Sequence, residues 1–399
     1  MTASALPTRR RILHVVYRFD IGGLENVIVQ LINRLPPDRF EHAVMALTEV
    51  TDFRRRVTRA DVEFIGLHKP PGHAFSLYPR IYRWLRAWRP DVVHTCNLAA
   101  LEVAPLAWLA GVPLRVHAEH GWDVTDPMGA SRKNQMIRRV YKRFVSHYVA
   151  VSPDLQRYLT GPVGIAPDKV ALIPNGVDTD AFGPAVFSVV SAAVSSVVGS
   201  TSGTGETIEG CPFDLDQCWL IGTVGRLQTV KNQIALARAF VLLLARHPAA
   251  RRDLRLLIVG EGPARAQIEA ILAAGSVTDL AWLPGARDDV ASILRRLHCF
   301  VLPSLAEGTS CTLQEAMAAA LPVVATAVGG TPDLVEAGVT GKLVKPDDDA
   351  ALADALWDYY SGRAIAVEHG RRGRERIVAG YALAGMAASY ATLFNPSER

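Results

Sequence analysis

Residues 299–330 read CFVLPSLAEGTSCTLQEAMAAALPVVATAVGG, and this stretch decides the fold. An apolar run precedes a loop rich in glycine, serine and threonine. The loop leads into a helix of small residues, which ends before a second apolar run. A strand, a helix and a strand in this order predict a βαβ unit with two parallel strands. In such a unit the loop places free backbone amides at a helix entrance, where phosphate-bearing ligands bind.

Two carboxylates flank the entrance of this predicted helix. Glu307 lies in the loop beside Gly308, Thr309 and Ser310, and Glu315 lies eight residues later on the helix. Carboxylates accept hydrogen bonds from the hydroxyls of a sugar or a ribose, and the amides and hydroxyls of the loop would face the same ligand. Because glutamate is usually exposed, two solvated surface charges are the alternative interpretation.

The same alternation of apolar runs and helical stretches extends along the whole chain. The first half contains ILHVVYRF, HAVMALTE, VVHTC, LRVHAEH and HYVAVS, and the second contains WLIGTVGRL and LRLLIVGEG. Buried runs separated by helices predict parallel sheets, and 399 residues are too many for one ordinary core. We therefore predict an α/β protein with two doubly wound, Rossmann-like domains. The predicted segments are an N-terminal domain (1–183), an insertion or linker (184–218), a C-terminal domain (219–375) and a C-terminal helix (376–399).

The segment 184–218 departs from this pattern. It is rich in serine, glycine, threonine and valine, and a structureless stretch of this length is unusual in a compact domain. We interpret it as a loop at the domain junction. The segment is either a functional lid or an insertion without function. The second interpretation is possible because proteins tolerate long insertions in surface loops.

Composition excludes several classes of protein. The content of 49% hydrophobic and 21% charged residues indicates a folded protein, and a net charge of +4 does not indicate nucleic-acid binding. No run approaches the roughly 20 apolar residues that span a bilayer. Five cysteines without CxxC spacing favour neither a zinc site nor a disulfide framework. We expect a cytoplasmic protein, with any membrane contact peripheral.

A glycine pair follows the first predicted strand. Gly22 and Gly23 stand in the run 20–25, DIGGLE, between a strand and a helix. Glycines there let the backbone approach a ligand closely and leave N–H groups for an anion. The alternative is that the two glycines serve only the packing of a tight turn and bind no ligand.

His120 lies in VHAEHGWD, at the predicted carboxyl end of a strand. Ligands collect at that end of open α/β sheets, and a histidine there can bind a sugar or transfer a proton. The alternative is a histidine at a strand end that makes its hydrogen bonds within the protein and has no role in binding or catalysis. Glu119 and Asp123 are secondary candidates.

Arg226 and Lys231 follow a buried strand in GTVGRLQTVKN. Two cations on a turn that enters a helix can bind a diphosphate, whereas two solvated side chains are the alternative. The sequence has no DxD motif at a position suited to binding a metal-bridged diphosphate. We therefore expect no metal, with Arg226 and Lys231 supplying the neutralising charge.

Residues 131–144, SRKNQMIRRVYKRF, carry six basic residues and no acid. Apolar residues recur at helical spacing, so the segment predicts a basic amphipathic helix. Such a helix can lie on an anionic membrane. The sequence fits equally well a helix whose basic face is in solvent and whose apolar face packs on the sheet of its own domain.

Together these motifs resemble the large retaining glycosyltransferase family of GT-B fold, often called family 4. The resemblance covers nearly the whole chain apart from 184–218. Its most specific parts are GGLE at 22–25, NGVD at 175–178, VGRL followed by KN at 231–232, and Glu307 with Glu315. The sequence of residues 18–36, RFDIGGLENVIVQLINRLP, is similar to that of the sugar transferases of exopolysaccharide loci that accompany exosortase-type (PEP-CTERM) sorting systems.

The resemblance implies two Rossmann-like domains facing a central cleft. The N-terminal one (1–183) would bind the acceptor, the C-terminal one (219–375) would bind the nucleotide sugar, and the C-terminal helix (376–399) would pack back on the N-terminal domain. It implies that Arg226 and Lys231 bind the donor diphosphate, and that Glu307 contacts the transferred sugar while Glu315 contacts the ribose. Gly22 and Gly23 would approach the diphosphate or the acceptor, and His120 would lie by the donor sugar. Such enzymes retain anomeric configuration and generally work without a bound metal or other cofactor.

We therefore expect transfer of a hexose from a nucleotide sugar to a hydroxyl of a saccharide or polyprenyl-linked acceptor. A nucleotide-sugar epimerase of the same architecture and a non-catalytic nucleotide-sugar-binding protein are the alternatives. Cys311 stands where the subgroup tends to have asparagine, which bears on hydrogen bonding in the donor loop.

Overall fold

The computed structural model of the chain describes residues 9–72, 75–122, 126, 129–184 and 207–395. The chain forms two compact units, the first of residues 1–176 and 383–399 and the second of residues 177–382. Most of the predicted insertion, 185–206, lies outside the described residues. Just after it, Ile208 is buried in the core of the second unit, so the end of the predicted insertion is part of that unit's packing.

A seven-stranded parallel sheet forms the centre of the first unit. Its order is β3-β2-β1-β4-β5-β6-β7, so β2 and β3 extend the sheet on one side of β1 and β4 to β7 extend it on the other. Each strand pairs in parallel with its neighbours. The strands are β1 (Arg10–Val16), β2 (Phe40–Ala46), β3 (Glu63–Gly66), β4 (Val92–Cys96), β5 (Leu114–Glu119), β6 (His147–Ala150) and β7 (Val170–Leu172).

A six-stranded parallel sheet forms the centre of the second unit and has the same winding. Its order is β10-β9-β8-β11-β12-β13, so β8 and β11 are the neighbours at which the winding reverses. The strands are β8 (Trp219–Val224), β9 (Leu254–Val259), β10 (Ala281–Gly285), β11 (Cys299–Leu302), β12 (Val323–Thr326) and β13 (Lys342–Val344).

Helices connect the strands in both units. The first unit contains α1 (Gly23–Arg34), α2 (Tyr78–Trp88), α3 (Asn97–Ala100), α4 (Ala104–Leu109), α5 (Arg132–Tyr141) and α6 (Pro153–Thr160). The second contains α7 (Gln233–Arg246), α8 (Arg265–Ala274), α9 (Val290–Arg296), α10 (Cys311–Ala318), α11 (Thr331–Leu334), α12 (Asp349–Ser361) and α13 (Arg363–Gly380). The last helix, α14 (Leu383–Phe394), belongs to the first unit.

Apolar side chains from the helices cover both faces of each sheet. In the first unit, Leu31 of α1 and Phe394 of α14 pack with Ile12 of β1 on one face. On the other face, Ile81 of α2 packs with Leu13. Alternate residues of β1 therefore enter two different cores, which is why both Ile12 and Leu13 are apolar. The second unit likewise has one core on each face of its sheet.

This architecture confirms the predicted fold class of two Rossmann-like, doubly wound domains. The strands were recognisable because parallel strands covered on both faces read as continuous apolar runs. Among the described residues, no helix combines the length and the apolar character needed to cross a membrane.

Candidate active site

Two loops meet at the point where the winding of the second sheet reverses. One follows β8 and carries Arg226 and Lys231, and the other follows β11 and carries residues 304–310. The backbone N–H of Leu305 donates to the carbonyl of Val230 at 2.8 Å, so the two loops are joined directly. In open α/β sheets this is the position at which ligands bind.

The Glu307 carboxylate is held by two neighbours in these loops. Lys231 Nζ donates to Glu307 Oε1 at 2.7 Å, and Ser304 Oγ donates to the same oxygen at 2.6 Å. Glu307 is 8% exposed, whereas the Lys231 side chain is 26% exposed. The structure thus brings together the predicted residues Lys231 and Glu307. Sequence analysis missed Ser304, although it follows β11 directly and stands three residues before Glu307.

Gly329 and Gly330 pack against the backbone of the Glu307 loop from the next loop. Gly329 has a φ of +50°, and a Cβ added there would lie 1.7 Å from the Glu307 carbonyl oxygen. Gly330 N–H donates to the Gly308 carbonyl at 3.1 Å. Only glycine fits so close an approach in this conformation. The signal for this pair was a double glycine directly after a predicted strand, as at Gly22 and Gly23.

The remaining residues of the predicted donor loop form the start of α10. Ser310 Oγ accepts from the Leu313 N–H at 3.3 Å and caps the helix. Thr309 and Ser310 are buried, while Cys311 and Glu315 on the helix are partly exposed. The predicted helix entrance after Glu307 and Gly308 is therefore present, with Glu315 in its second turn.

Arg226 lies in the loop after β8. It is exposed, and its guanidinium forms no ion pair with any residue that the structure describes. Its carbonyl accepts from Gln233 Nε2 at 3.1 Å, which ties the loop to the start of α7. Gly260 packs on the carbonyl of Gly225, where a Cβ would come within 1.9 Å. The Arg226 backbone is thus held while its side chain is available to a ligand.

In the first unit, Gly22 and Gly23 stand where α1 begins, after β1. Gly22 is the residue before the helix, and its carbonyl accepts from the Asn26 N–H at 2.9 Å. A Cβ at Gly22 would lie 2.2 Å from Glu25 Oε2. The Glu25 carboxylate lies against Gly22, so a side chain at this position would have to displace the end of the Glu25 side chain.

His120 lies just after β5 and is 9% exposed. Its backbone N–H donates to Asn97 Oδ1 at 2.8 Å, and Asn97 adopts the left-handed φ of +59°. Neither ring nitrogen makes a hydrogen bond of ordinary geometry with a described residue. Burial lowers the pKa of His120 to about 4, although the Asn175 amide nearby acts in the opposite direction. The imidazole is therefore neutral at pH 7 and offers both a donor and an acceptor.

Glu119 has a structural partner of its own. Arg138 Nε and Nη2 donate to its two carboxylate oxygens at 2.5 and 3.0 Å, and His117 Nε2 lies 3.2 Å from Oε1. Burial alone would raise the pKa of Glu119, but Arg138 and His117 outweigh burial and lower the pKa to about 2. Glu119 is therefore part of a buried ion pair. The other secondary candidate, Asp123, lies outside the described residues.

The pairing with Glu119 also corrects the predicted basic face of residues 131–144. Arg138 is 5% exposed and its guanidinium points into the unit. Arg132, Lys133, Arg139, Lys142 and Arg143 are exposed, as predicted for a basic surface. Helical spacing located the charges correctly, but it could not show that one of them has a buried partner.

Comparison with known proteins identifies the family. A family model described as Glycosyl transferases group 1 matches residues 219–361, and one described as Glycosyltransferase Family 4 matches residues 21–181. A D-inositol 3-phosphate glycosyltransferase from Actinosynnema mirum is 30% identical over 317 residues, which cover 73% of this chain and 70% of that protein. The chain belongs to the group 1 glycosyltransferases.

This glycosyltransferase has further relatives of similar length. The UDP-Gal:alpha-D-GlcNAc-diphosphoundecaprenol alpha-1,3-galactosyltransferase of Escherichia coli is 26% identical over 366 residues, covering 87% of each protein. Among solved structures, HepE of Anabaena in complex with UDP-glucose matches with a TM-score of 0.78 at 18% identity, covering 97% of this chain and 99% of HepE. The predicted GT-B fold and the predicted transferase class are confirmed.

Proposed function

We propose that this glycosyltransferase transfers a hexose, with retention of anomeric configuration, from a nucleotide sugar to a lipid-linked saccharide in exopolysaccharide biosynthesis. The contact between Lys231 and Glu307 at the reversal of the second sheet carries the proposal. It places a cation beside a carboxylate that accepts hydrogen bonds. The Escherichia coli relative acts, by its name, on UDP-Gal and a diphosphoundecaprenol-linked sugar, which supports the donor and acceptor classes.

Lys231 and Arg226 bind the donor diphosphate in this proposal. The Lys231 ammonium has three N–H donors, and Glu307 uses one of them, so others remain for phosphate oxygens. Arg226 is exposed five residues earlier and adds a second positive charge. Two cations neutralise the charge that develops on the leaving diphosphate, so no metal is required. Transfer is expected to persist in EDTA.

The loop around Glu307 binds the sugar, and the helix that follows it binds the ribose. Ser304 and Lys231 hold one oxygen of the Glu307 carboxylate, which fixes the group for sugar hydroxyls. The amides of the loop with Gly308, Thr309 and Ser310 face the same ligand at the start of α10. Glu315, partly exposed in that helix, accepts from the ribose hydroxyls.

The reaction breaks the bond between the anomeric carbon and the diphosphate oxygen, and the electron pair leaves with the nucleotide. The acceptor hydroxyl forms the new bond on the same face, and its proton passes to the leaving phosphate. Neutral His120 hydrogen-bonds the donor sugar. The glycine turn at Gly22 and Gly23 approaches the diphosphate or the acceptor through its backbone.

The test is incubation with UDP-, GDP- and ADP-hexoses, with and without lipid-linked acceptor saccharides, followed by measurement of free nucleotide. Nucleotide release that depends on the acceptor, with an α-linked product from an α-linked donor, is expected. Isomerisation of the sugar without an acceptor would instead identify an epimerase. Donor binding without turnover for any acceptor would identify a non-catalytic binding protein.

Peripheral contact with an anionic membrane belongs to the same proposal. Four apolar side chains near the basic segment are 46–61% exposed: Trp108 and Leu109 at the end of α4, and Met136 and Val140 on α5. Trp108 contacts Phe144 ring to ring at 5.5 Å, so the ends of α4 and of the basic segment share one surface. Exposed apolar side chains beside basic ones are suited to a bilayer interface.

Liposome co-sedimentation tests this contact. Arg132→Glu/Lys133→Glu is expected to reduce binding to vesicles that contain phosphatidylglycerol, because both residues are exposed. Arg54→Glu/Arg55→Glu makes the same change of charge at two other exposed positions of the unit and serves as the control. Equal loss in both double variants, or none in the first, would remove this surface from the proposal.

A further inference from the structure

Three buried histidines form a chain across the first sheet. His14 of β1 contacts His94 of β4 through their Nδ1 atoms at 3.1 Å, and His14 Nε2 contacts His42 Nδ1 of β2 at 3.1 Å. All three are at most 1% exposed. Burial lowers the pKa of each, so the rings are neutral at pH 7. The proposed transfer reaction uses none of the three.

This chain ends at a cluster of three possible metal ligands. His94, Cys96 and His120 each place one ligand atom so that all of these atoms lie within 4.8 Å of one another. His94 and Cys96 are two residues apart on β4 and lie on the same side of the strand, while His120 arrives from the end of β5. His94 Nε2 lies 3.7 Å from Cys96 Sγ.

The donor atoms and their spacing suit a zinc-class ion. Zinc binds imidazole nitrogen at about 2.0 Å and thiolate sulfur at about 2.3 Å, which places tetrahedral N and S ligands about 3.5 Å apart. The separation of 3.7 Å between His94 Nε2 and Cys96 Sγ is close to this value, and Sγ lies 3.9 Å from His94 Nδ1. His14 Nδ1 contacts Nδ1 of His94, the ring nitrogen on the far side from Nε2. Metal-binding histidines are commonly oriented in this way by a second residue that hydrogen-bonds the nitrogen that does not bind the metal.

The ring nitrogens of His120 are buried and make no hydrogen bond of ordinary geometry with a described residue, although the Asn175 side chain acts on the ring. The hydroxyl of Tyr390 is also buried and has no hydrogen-bond partner in the described part of the chain, and it is close enough to Cys96 for the two groups to interact electrostatically. Buried polar atoms are normally paired, so unbonded ones in a cluster of ligands indicate a missing partner.

Cys96 would bind the ion as a thiolate. Burial raises the pKa of the Cys96 thiol, so the thiol keeps its proton when no metal is bound. A divalent ion would displace this proton, forming the S–metal bond and releasing one H⁺.

We propose that His94, Cys96 and His120 form a three-ligand site for a zinc-class divalent cation. A fourth position is left for water or another ligand, as in zinc sites with three protein ligands. One consequence rests on the proposed function: a bound ion would occupy His120 and withdraw it from the donor sugar. Zinc would then inhibit transfer, although transfer itself needs no metal.

Cobalt titration of the full chain in the absence of donor and acceptor tests the site, and its outcome does not depend on any transferase activity. One equivalent of Co²⁺ is expected to produce a thiolate-to-cobalt charge-transfer band, and Zn²⁺ should abolish it. Cys96→Ser should remove the band and weaken binding at least about tenfold. Circular dichroism and the thermal midpoint would establish that the variant is folded.

Two control variants separate this site from the other thiols. Cys311→Ser and the pair Cys211→Ser/Cys218→Ser change partly exposed cysteines of the second unit and should leave the band intact. A band that survives in Cys96→Ser, or that disappears in the Cys211/Cys218 variant, would overturn the proposal. So would the absence of any sulfur-to-cobalt band in the wild type. Zinc inhibition of transfer, if activity is present, should be weaker in Cys96→Ser.

Discussion

Lys231 Nζ lies 2.7 Å from Glu307 Oε1, although the two residues are 76 positions apart in the sequence. Ser304 Oγ lies 2.6 Å from the same oxygen. The cation and the carboxylate come from the loops after β8 and β11, the two strands at which the winding of the second sheet reverses. This pair is the centre of the proposed donor site.

Glu307→Gln and Lys231→Met are each expected to lower kcat/KM about 100-fold or more, because each removes a charge from the donor site. Each should also reduce stability, since the partner left behind is partly buried. A double-mutant cycle on urea unfolding should give a coupling free energy of about 0.5–3 kcal/mol. Wild-type turnover in either single variant would refute the site.

Arg226→Ala should separate activity from stability. The side chain is exposed, so the free energy of unfolding should change by less than about 0.5 kcal/mol. We expect kcat/KM to fall about 100-fold, with Arg226→Lys restoring part of it because a positive charge is kept. Parallel urea unfolding and nucleotide-release assays provide the measurement. A loss of activity matched by a loss of stability would contradict the assigned role.

Gly329→Ala tests the support of the Glu307 loop. The added Cβ would lie 1.7 Å from the Glu307 carbonyl oxygen, and the φ of +50° is strained for alanine. We expect a loss of about 3 kcal/mol or more in the free energy of unfolding, together with a loss of transfer. Gly338→Ala is the matched control: φ is +75°, with no atom within 4 Å of the added Cβ. Its expected cost is only about 1 kcal/mol.

The buried histidines predict that stability falls as the pH drops below 6.5. Burial lowers the pKa of His42 to about 3 and that of His120 to about 4, against about 6.5 in the unfolded chain. Below pH 6.5 the unfolded chain therefore binds protons that the native state does not, and the free energy of unfolding decreases toward pH 4.

His42→Leu should reduce this pH dependence by up to one proton, or about 1.4 kcal/mol per pH unit. Urea unfolding between pH 6.5 and 4.5 is the measurement. The range ends at 4.5 because the Glu119 carboxylate, whose pKa is about 2, contributes to the pH dependence below that value. An unchanged slope in His42→Leu would show that its imidazole is not held neutral by the fold.

Several features of the site could be predicted because they depend on local sequence. The helix after Glu307 begins where small and polar residues precede an amphipathic run, and Ser310 caps it as such residues do. The glycines before α1 lie at a strand end, as their spacing indicates. Ser304 and Gly329 each follow a predicted strand, but their roles depend on contacts with Glu307 that the sequence does not show.

The sequence by itself determined the two Rossmann-like domains, since strands buried on both faces must be mostly apolar and the helices between them must be amphipathic. Only the tertiary structure decided which polar side chains meet. It paired Lys231 with Glu307, turned Arg138 inward to Glu119, and brought His120 to His94 and Cys96. The reason is physical: strand order decides which loops and strands become neighbours, and strand order depends on packing between segments far apart in the chain.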